Sequence, residues 1–126
     1  MTSRPRVLII DDEPALASTL GILLRDQCEV TVATSGREGL DHLLAGEDYD
    51  AILCDLAMPG ISGMDIHRRL HDERPGVEAR MIFMTGGTYT PAATRFVASI
   101  ANDTVSKPFD AETIEAAIKA VVARHS

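Results

Sequence analysis

The sequence predicts an open α/β domain built on a mostly parallel sheet, and three observations lead there. Five short apolar runs alternate with five helix-like segments. No linker, repeat or low-complexity tract separates them. The runs are closed by acids and single polar residues rather than by a glycine-rich turn. Such alternation implies right-handed crossovers and helices on both sheet faces, while periodicity leaves the strand order open. A length of 126 residues suits one domain.

Arg6 to Ile10 reads as the first buried strand. Pro14 fits the first turn of a helix over about Ala15 to Asp26, with Leu16, Leu20, Leu23 and Leu24 on its inner side. Glu29 to Ala33 is the second strand. Ser35 caps a helix over Gly36 to Ala45 that turns Leu40, Leu43 and Leu44 inward. Tyr49 to Cys54 is the third strand, and a loop with Pro59, Gly60 and Gly63 leads to a helix ending near Glu73, before Pro75-Gly76. Arg80 to Met84 is the fourth strand and Pro91 to Ile100 the weakest helix. Asp103 to Ser106 is a short fifth strand. Asp110 caps the last helix, Ala111 to Arg124, with Ile114, Ala117, Ile118 and Val121 inside.

The strand ends carry the chemistry. Asp11 and Asp12 follow the first run, Asp55 the third, Thr85 the fourth and Lys107 the fifth. In open α/β sheets these ends meet along one edge, where sites form. Three carboxylates gathered there repel one another unless a hard cation sits among them, so they argue for Mg²⁺ more than for acid–base work. Lys107 supplies further positive charge. A dinucleotide fold fails at Asp11-Asp12-Glu13-Pro14, where acids stand in place of the glycine fingerprint.

Composition narrows the remainder. With 19 acidic and 12 basic residues the net charge is −7, and no basic stripe exists, which argues against nucleic-acid binding. The two cysteines are too few for a disulfide scaffold, and Cys28 and Cys54 read as reduced residues of a cytoplasmic protein. No signal peptide or spanning run is apparent, so no direct membrane contact is expected.

Four pieces now carry a resemblance: Ile10-Asp11-Asp12-Glu13, Asp55-Leu56-Ala57-Met58-Pro59-Gly60 with Gly63, Met84-Thr85-Gly86-Gly87, and Lys107-Pro108-Phe109. Each closes a predicted strand, and in this order they resemble the receiver (phosphoacceptor) domain of two-component response regulators, over about residues 6–122. The resemblance implies a flavodoxin-like doubly wound sheet of order 2-1-3-4-5 and a single receiver domain over 1–126 with no output domain. It makes Asp55 the phosphorylated residue, with Mg²⁺ held by Asp11, Asp12, Asp55 and the Ala57 carbonyl. Thr85 would bond a phosphoryl oxygen, and Lys107 would pair with Asp55 and then with the phosphoryl group. The Lys107–Pro108 bond is expected to be cis, and Ala57 and Gly87 to tune phosphate lifetime. The implied partners are a histidine kinase or histidine phosphotransfer protein, docking near Leu16, Thr19 and Leu20 or at the Pro108 loop. A downstream protein would meet the face of the fourth helix, fifth strand and fifth helix, and the chain would be a monomer or weak dimer.

Two departures stand out. The family's aromatic residue three positions before the lysine is Thr104 here, which puts the usual export of the signal in doubt. Thr85-Gly86-Gly87, with Pro91, Arg95 and Phe96, is closest to receivers at the C-terminus of hybrid sensor histidine kinases. Two other functions compete: a pseudo-receiver that binds proteins without phosphorylation, and a phosphatase, for which Glu13 is the nearest acid–base candidate. The remaining features have plainer readings. His67 and His71 suit a solvated helix face, Met58, Met81 and Met84 suit packing, Phe109 buttresses the Pro108 turn, and Tyr89 is an exposed loop ring.

Overall fold

The computed structural model describes residues 4–86, 90–107 and 110–125. Gly87, Tyr89, Pro108, Phe109 and the expected cis bond at Lys107–Pro108 therefore lie outside the described residues. Strands β1 (Arg6–Ile10), β2 (Glu29–Ala33), β3 (Ala51–Asp55), β4 (Met81–Thr85) and β5 (Thr104–Ser106) alternate with helices α1 (Pro14–Leu24), α2 (Gly36–Leu44), α3 (Gly63–Glu73), α4 (Pro91–Ser99) and α5 (Ala111–Arg124). All pairings are parallel and the order is β2-β1-β3-β4-β5, the expected 2-1-3-4-5.

Alternation of side chains splits each central strand between two cores. Leu8, Ile10, Ile52, Cys54 and Phe83 face Leu40 and Leu43 of α2, Ile66 and Leu70 of α3 and Ala93 of α4. Val7, Ile9, Leu53, Ile82 and Met84 face Ala17, Leu20 and Leu24 of α1 and Ile114, Ile118 and Val121 of α5. Every residue of β3 and β4 is buried, which is why these strands read as unbroken apolar runs.

The caps work as read. Ser35 accepts from the Glu38 amide and Asp110 from the Thr113 amide. A stronger one was not anticipated: Ser62 and Asp65 form a reciprocal capping box at the start of α3. The Ser-x-x-Asp spacing was its signal.

Several expectations are corrected. Helix α1 spans Pro14–Leu24 rather than reaching Asp26, and Leu23 is 48% exposed instead of facing inward. Leu20 is buried, so it cannot serve a docking patch; Ile22 and Leu23 are the exposed large apolar residues of α1. Strand β3 starts at Ala51 and ends on Asp55, and β4 ends on Thr85, one residue later than read, because polar ends obscure strand limits. A 3₁₀ turn, Val77–Arg80, precedes β4. His67 is no solvated residue: it is half-buried, its ring 5.1 Å from Phe96 and 6.0 Å from Phe83. Met58, Met81 and Met84 are packed as expected, and Cys28 and Cys54 are free and buried. No helix among the described residues is long and apolar enough to cross a membrane.

Candidate functional site

The register brings the chemistry-bearing residues to one edge. Ile10 pairs with Cys54, Asp55 with Met84 and Thr85 with Ser106, so Asp11, Asp55, Thr85 and Lys107 all emerge at the C-terminal ends of their strands.

Asp11 is fully buried, and its amide bonds the Ala33 carbonyl, which continues the β1–β2 ladder by one residue. One carboxylate oxygen, Oδ1, accepts from the Glu13 amide at 2.9 Å, while Oδ2 accepts from Lys107 Nζ at 3.2 Å. Asp55 is 5% exposed. Its Oδ1 accepts from the Ala57 amide at 3.2 Å and its Oδ2 from Lys107 Nζ at 3.4 Å. The lysine thus bridges both acids, where sequence reasoning paired it with Asp55 alone. Glu13 Oε1 lies 3.9 Å from the same ammonium, but on an exposed side chain.

Burial sets the electrostatics. Desolvation pushes the Asp55 carboxyl up to about 6, with Lys107 pulling it down and the Asp11 carboxylate pushing it up. Burial alone would lower the Lys107 ammonium, but the Asp55 and Asp11 carboxylates outweigh that and raise it. Beside the acids, Cys54 is raised well above an ordinary thiol by burial and then by Asp55 and Asp11, so it is an inert packing residue.

One oxygen from each of Asp11, Asp12 and Asp55 lies within 4.8 Å of the others. The donors are hard oxygens, two of the three residues are buried, and their negative charge exceeds what Lys107 offsets. That set fits a hard divalent cation such as Mg²⁺ and suits neither zinc nor copper.

The loop after Asp55 is held closely. Leu56 donates its amide to the Met84 carbonyl at 3.0 Å, and the Gly63 amide bonds the Leu56 carbonyl at 3.1 Å. Gly60 adopts φ +77°, a region costly for other residues. At Gly63 a Cβ would lie 2.8 Å from the Asp55 carbonyl oxygen, so only glycine lets α3 start this close to the acid. On the opposite side, the Lys107 amide bonds the Thr85 carbonyl at 2.7 Å and places the lysine. Buried Thr85 donates its hydroxyl to the Val105 carbonyl at 3.4 Å, across to β5. Thr104 is exposed.

The pattern of the response regulator receiver domain matches residues 7–119. The chain belongs to this family. The receiver is 34% identical over 120 residues to the cell cycle transcriptional regulator CtrA of Caulobacter vibrioides, covering 94% of this chain and 51% of that protein. It is 32% identical over 115 residues to the transcriptional regulatory protein DltR of Streptococcus agalactiae, covering 90% of this chain and 50% of DltR. The chain therefore spans about half the length of the curated relatives it matches. A receiver domain crystal structure from Clostridium thermocellum superposes with a TM-score of 0.85 at 31% identity, covering 96% of both chains. The receiver is a signalling domain rather than a conventional enzyme, and its acidic pocket with Lys107 is consistent with phosphoacceptance.

Proposed function

We propose that Asp55 accepts a phosphoryl group from a phosphohistidine on a histidine kinase or histidine phosphotransfer protein. The observation that carries this reading is the buried Asp55 carboxylate, joined to Asp11 through Lys107 at the strand edge. In the transfer, an Asp55 oxygen attacks phosphorus, an O–P bond forms, and the N–P bond breaks with its electron pair leaving on the imidazole nitrogen. Lys107 would move from the carboxylate to a phosphoryl oxygen. The Thr85 hydroxyl would leave the Val105 carbonyl and donate to another phosphoryl oxygen. The Ala57 amide already points at Asp55 Oδ1 and orients the nucleophile.

Asp11, Asp12, Asp55 and the Ala57 carbonyl would hold Mg²⁺, which when bound neutralises the charge gathered on the transferring group. Residues 6–122 would form the whole receiver unit, working in the cytoplasm. The relatives named above support a parent of the transcriptional-regulator kind. A hybrid-kinase parent has only Thr85-Gly86-Gly87 and its neighbours behind it. Kinase docking on α1 would use Thr19 with Ile22 and Leu23, which are exposed, in place of buried Leu20. Thr104 favours a second reading, the pseudo-receiver, because no ring stands there to report the phosphoryl group.

The test is intact mass and Phos-tag mobility after incubation with acetyl phosphate, with and without Mg²⁺, beside Asp55→Asn. A magnesium-dependent gain of one phosphoryl group that the variant lacks supports acceptance at Asp55. No gain here or with a panel of kinases leaves the pseudo-receiver.

A further inference from the structure

Helix α4 is weakly anchored. Only Ala93 of it is buried, while Phe96 and Val97, with Ile100 just past its end, rest partly buried on the core. Elements with so little buried surface lie at the low-stability end of a fold and move first. Its largest anchor is the Phe96 ring, which stands edge-on to two others: Phe83 of β4 at 5.4 Å and His67 of α3 at 5.1 Å, both at 85°. Such edge-to-face contacts are directional, so a displaced ring loses them abruptly.

The other side of this cluster touches the acidic site. Phe83 Cε1 lies 3.2 Å from where a Gly63 Cβ would sit, and the Asp55 carbonyl oxygen lies 2.8 Å from the same point. Gly63 is thus the narrow place where the Asp55 backbone and the Phe83 ring converge. His67 lies one turn along α3 from Gly63, and the Asn102 side-chain amide ties the chain before β5 to the carbonyls of Glu78 and Met81 at 2.8 and 2.9 Å. Thr104, the register partner of Phe83, offers no ring of its own.

The geometry points to the His67–Phe83–Phe96 triad as the mechanical link by which a change at Asp55 repositions α4. His67 acts as a positioning residue: its ring fixes the Phe96 ring that holds α4. The link rests on Asp55 being the acceptor, and its test must separate the two. A purely packing role for the triad would alter stability without altering the response of α4 to occupancy of the site.

Hydrogen exchange of the segments spanning α4 and β5 is measured on the full chain, with and without beryllium, fluoride and Mg²⁺. Bound beryllofluoride is monitored independently by ¹⁹F NMR. On the unsubstituted chain, loading changes α4 protection by about fivefold or more, a typical coupling. His67→Ala and Phe96→Leu keep the bound fluoride signal and lose that change, while His67→Phe, which retains a ring, keeps it. Bound beryllofluoride with no α4 response in the unsubstituted chain overturns the link. So does an intact response in Phe96→Leu, a variant that leaves an apolar anchor and removes only the ring contact. Absence of a bound signal on the unsubstituted chain overturns the acceptor reading itself, and the link falls with it.

Discussion

Gly36, the first residue of α2, sits so close to Ile61 that a Cβ on it would lie 2.1 Å from the Ile61 carbonyl oxygen. The contact ties the start of α2 to the loop that closes over Asp55, two elements that share no hydrogen-bonded strand. The loop after β3 is therefore clamped from two sides, by Gly36 at Ile61 and by Gly63 at Leu56. Because the obstructing atoms are backbone, no side-chain rotation relieves a larger residue. Gly36→Ala should lower stability by about 1–3 kcal/mol, read by urea unfolding. It should also weaken the Mg²⁺-induced rise in Tm, since the displaced loop carries Ala57.

Asp55 is kept in its place against its own preference. Its folded carboxyl titrates at about 6, above the ordinary value of 3.8. The folded state therefore binds its proton more tightly than the unfolded chain. That contribution is fully present below 3.8 and is lost as pH rises through 6, leaving a penalty at neutral pH. Without Mg²⁺, Asp55→Asn should accordingly stabilise the chain at pH 7 by about 1–3 kcal/mol. The gain should fade as pH drops towards 4, followed by denaturation across a pH series.

The same titration governs cation binding. A protonated Asp55 offers a weaker ligand, so Mg²⁺ affinity should fall as pH drops through about 6. Isothermal calorimetry at pH 5 and pH 7.5 should show the difference, and Asp55→Asn should flatten it.

Lys107 is the main group that keeps Asp55 from rising further, with the Ala57 amide helping. Its replacement by alanine should move the Asp55 titration upward, seen in the ¹³C shift of the side-chain carboxyl. It should leave backbone signals of β1 and β3 in place, because the strands are held by ladder bonds and core packing. Mg²⁺ should bind no more weakly at pH 7.5, since a competing cation has gone, while labelling by acetyl phosphate slows.

His67 gives a pH dependence of opposite sign. Burial lowers its imidazole from 6.5, opposed by its bond to Asn102 and by Glu78, and aided by His71. The unfolded chain then takes up a proton that the folded state resists, so stability falls as pH drops below 6.5. His67→Phe should remove that part of the fall, and the difference between the two denaturation curves isolates it from Asp55.

Much of this was legible because local rules and global packing agree. The Ser35 and Asp110 caps, the Pro14 start and the Pro75-Gly76 stop are short-range signals, and all act where read. The strand-end acids were legible because an apolar run broken by a charge marks where a buried strand meets solvent. His67 and Leu23 were misread because helical spacing alone does not say which neighbour covers a face. Phe96, 29 positions beyond His67, gives that histidine its half-buried setting. Leu23 sits off the side of α1 that carries buried Ala17, Leu20 and Leu24 and stays about half exposed.

By itself the chain determined its layered alternation, the number and order of its strands and helices, and which acids, threonine and lysine end the strands. Those are properties of consecutive residues, set by side-chain period and by the punctuation of proline, glycine and caps. Only the tertiary structure decided that Lys107 bridges Asp11 and Asp55, that Gly36 and Gly63 grip the loop between them, and that His67 joins Phe83 and Phe96. Each of these depends on atoms brought together from distant positions by strand register and helix packing, and on the burial that such packing creates.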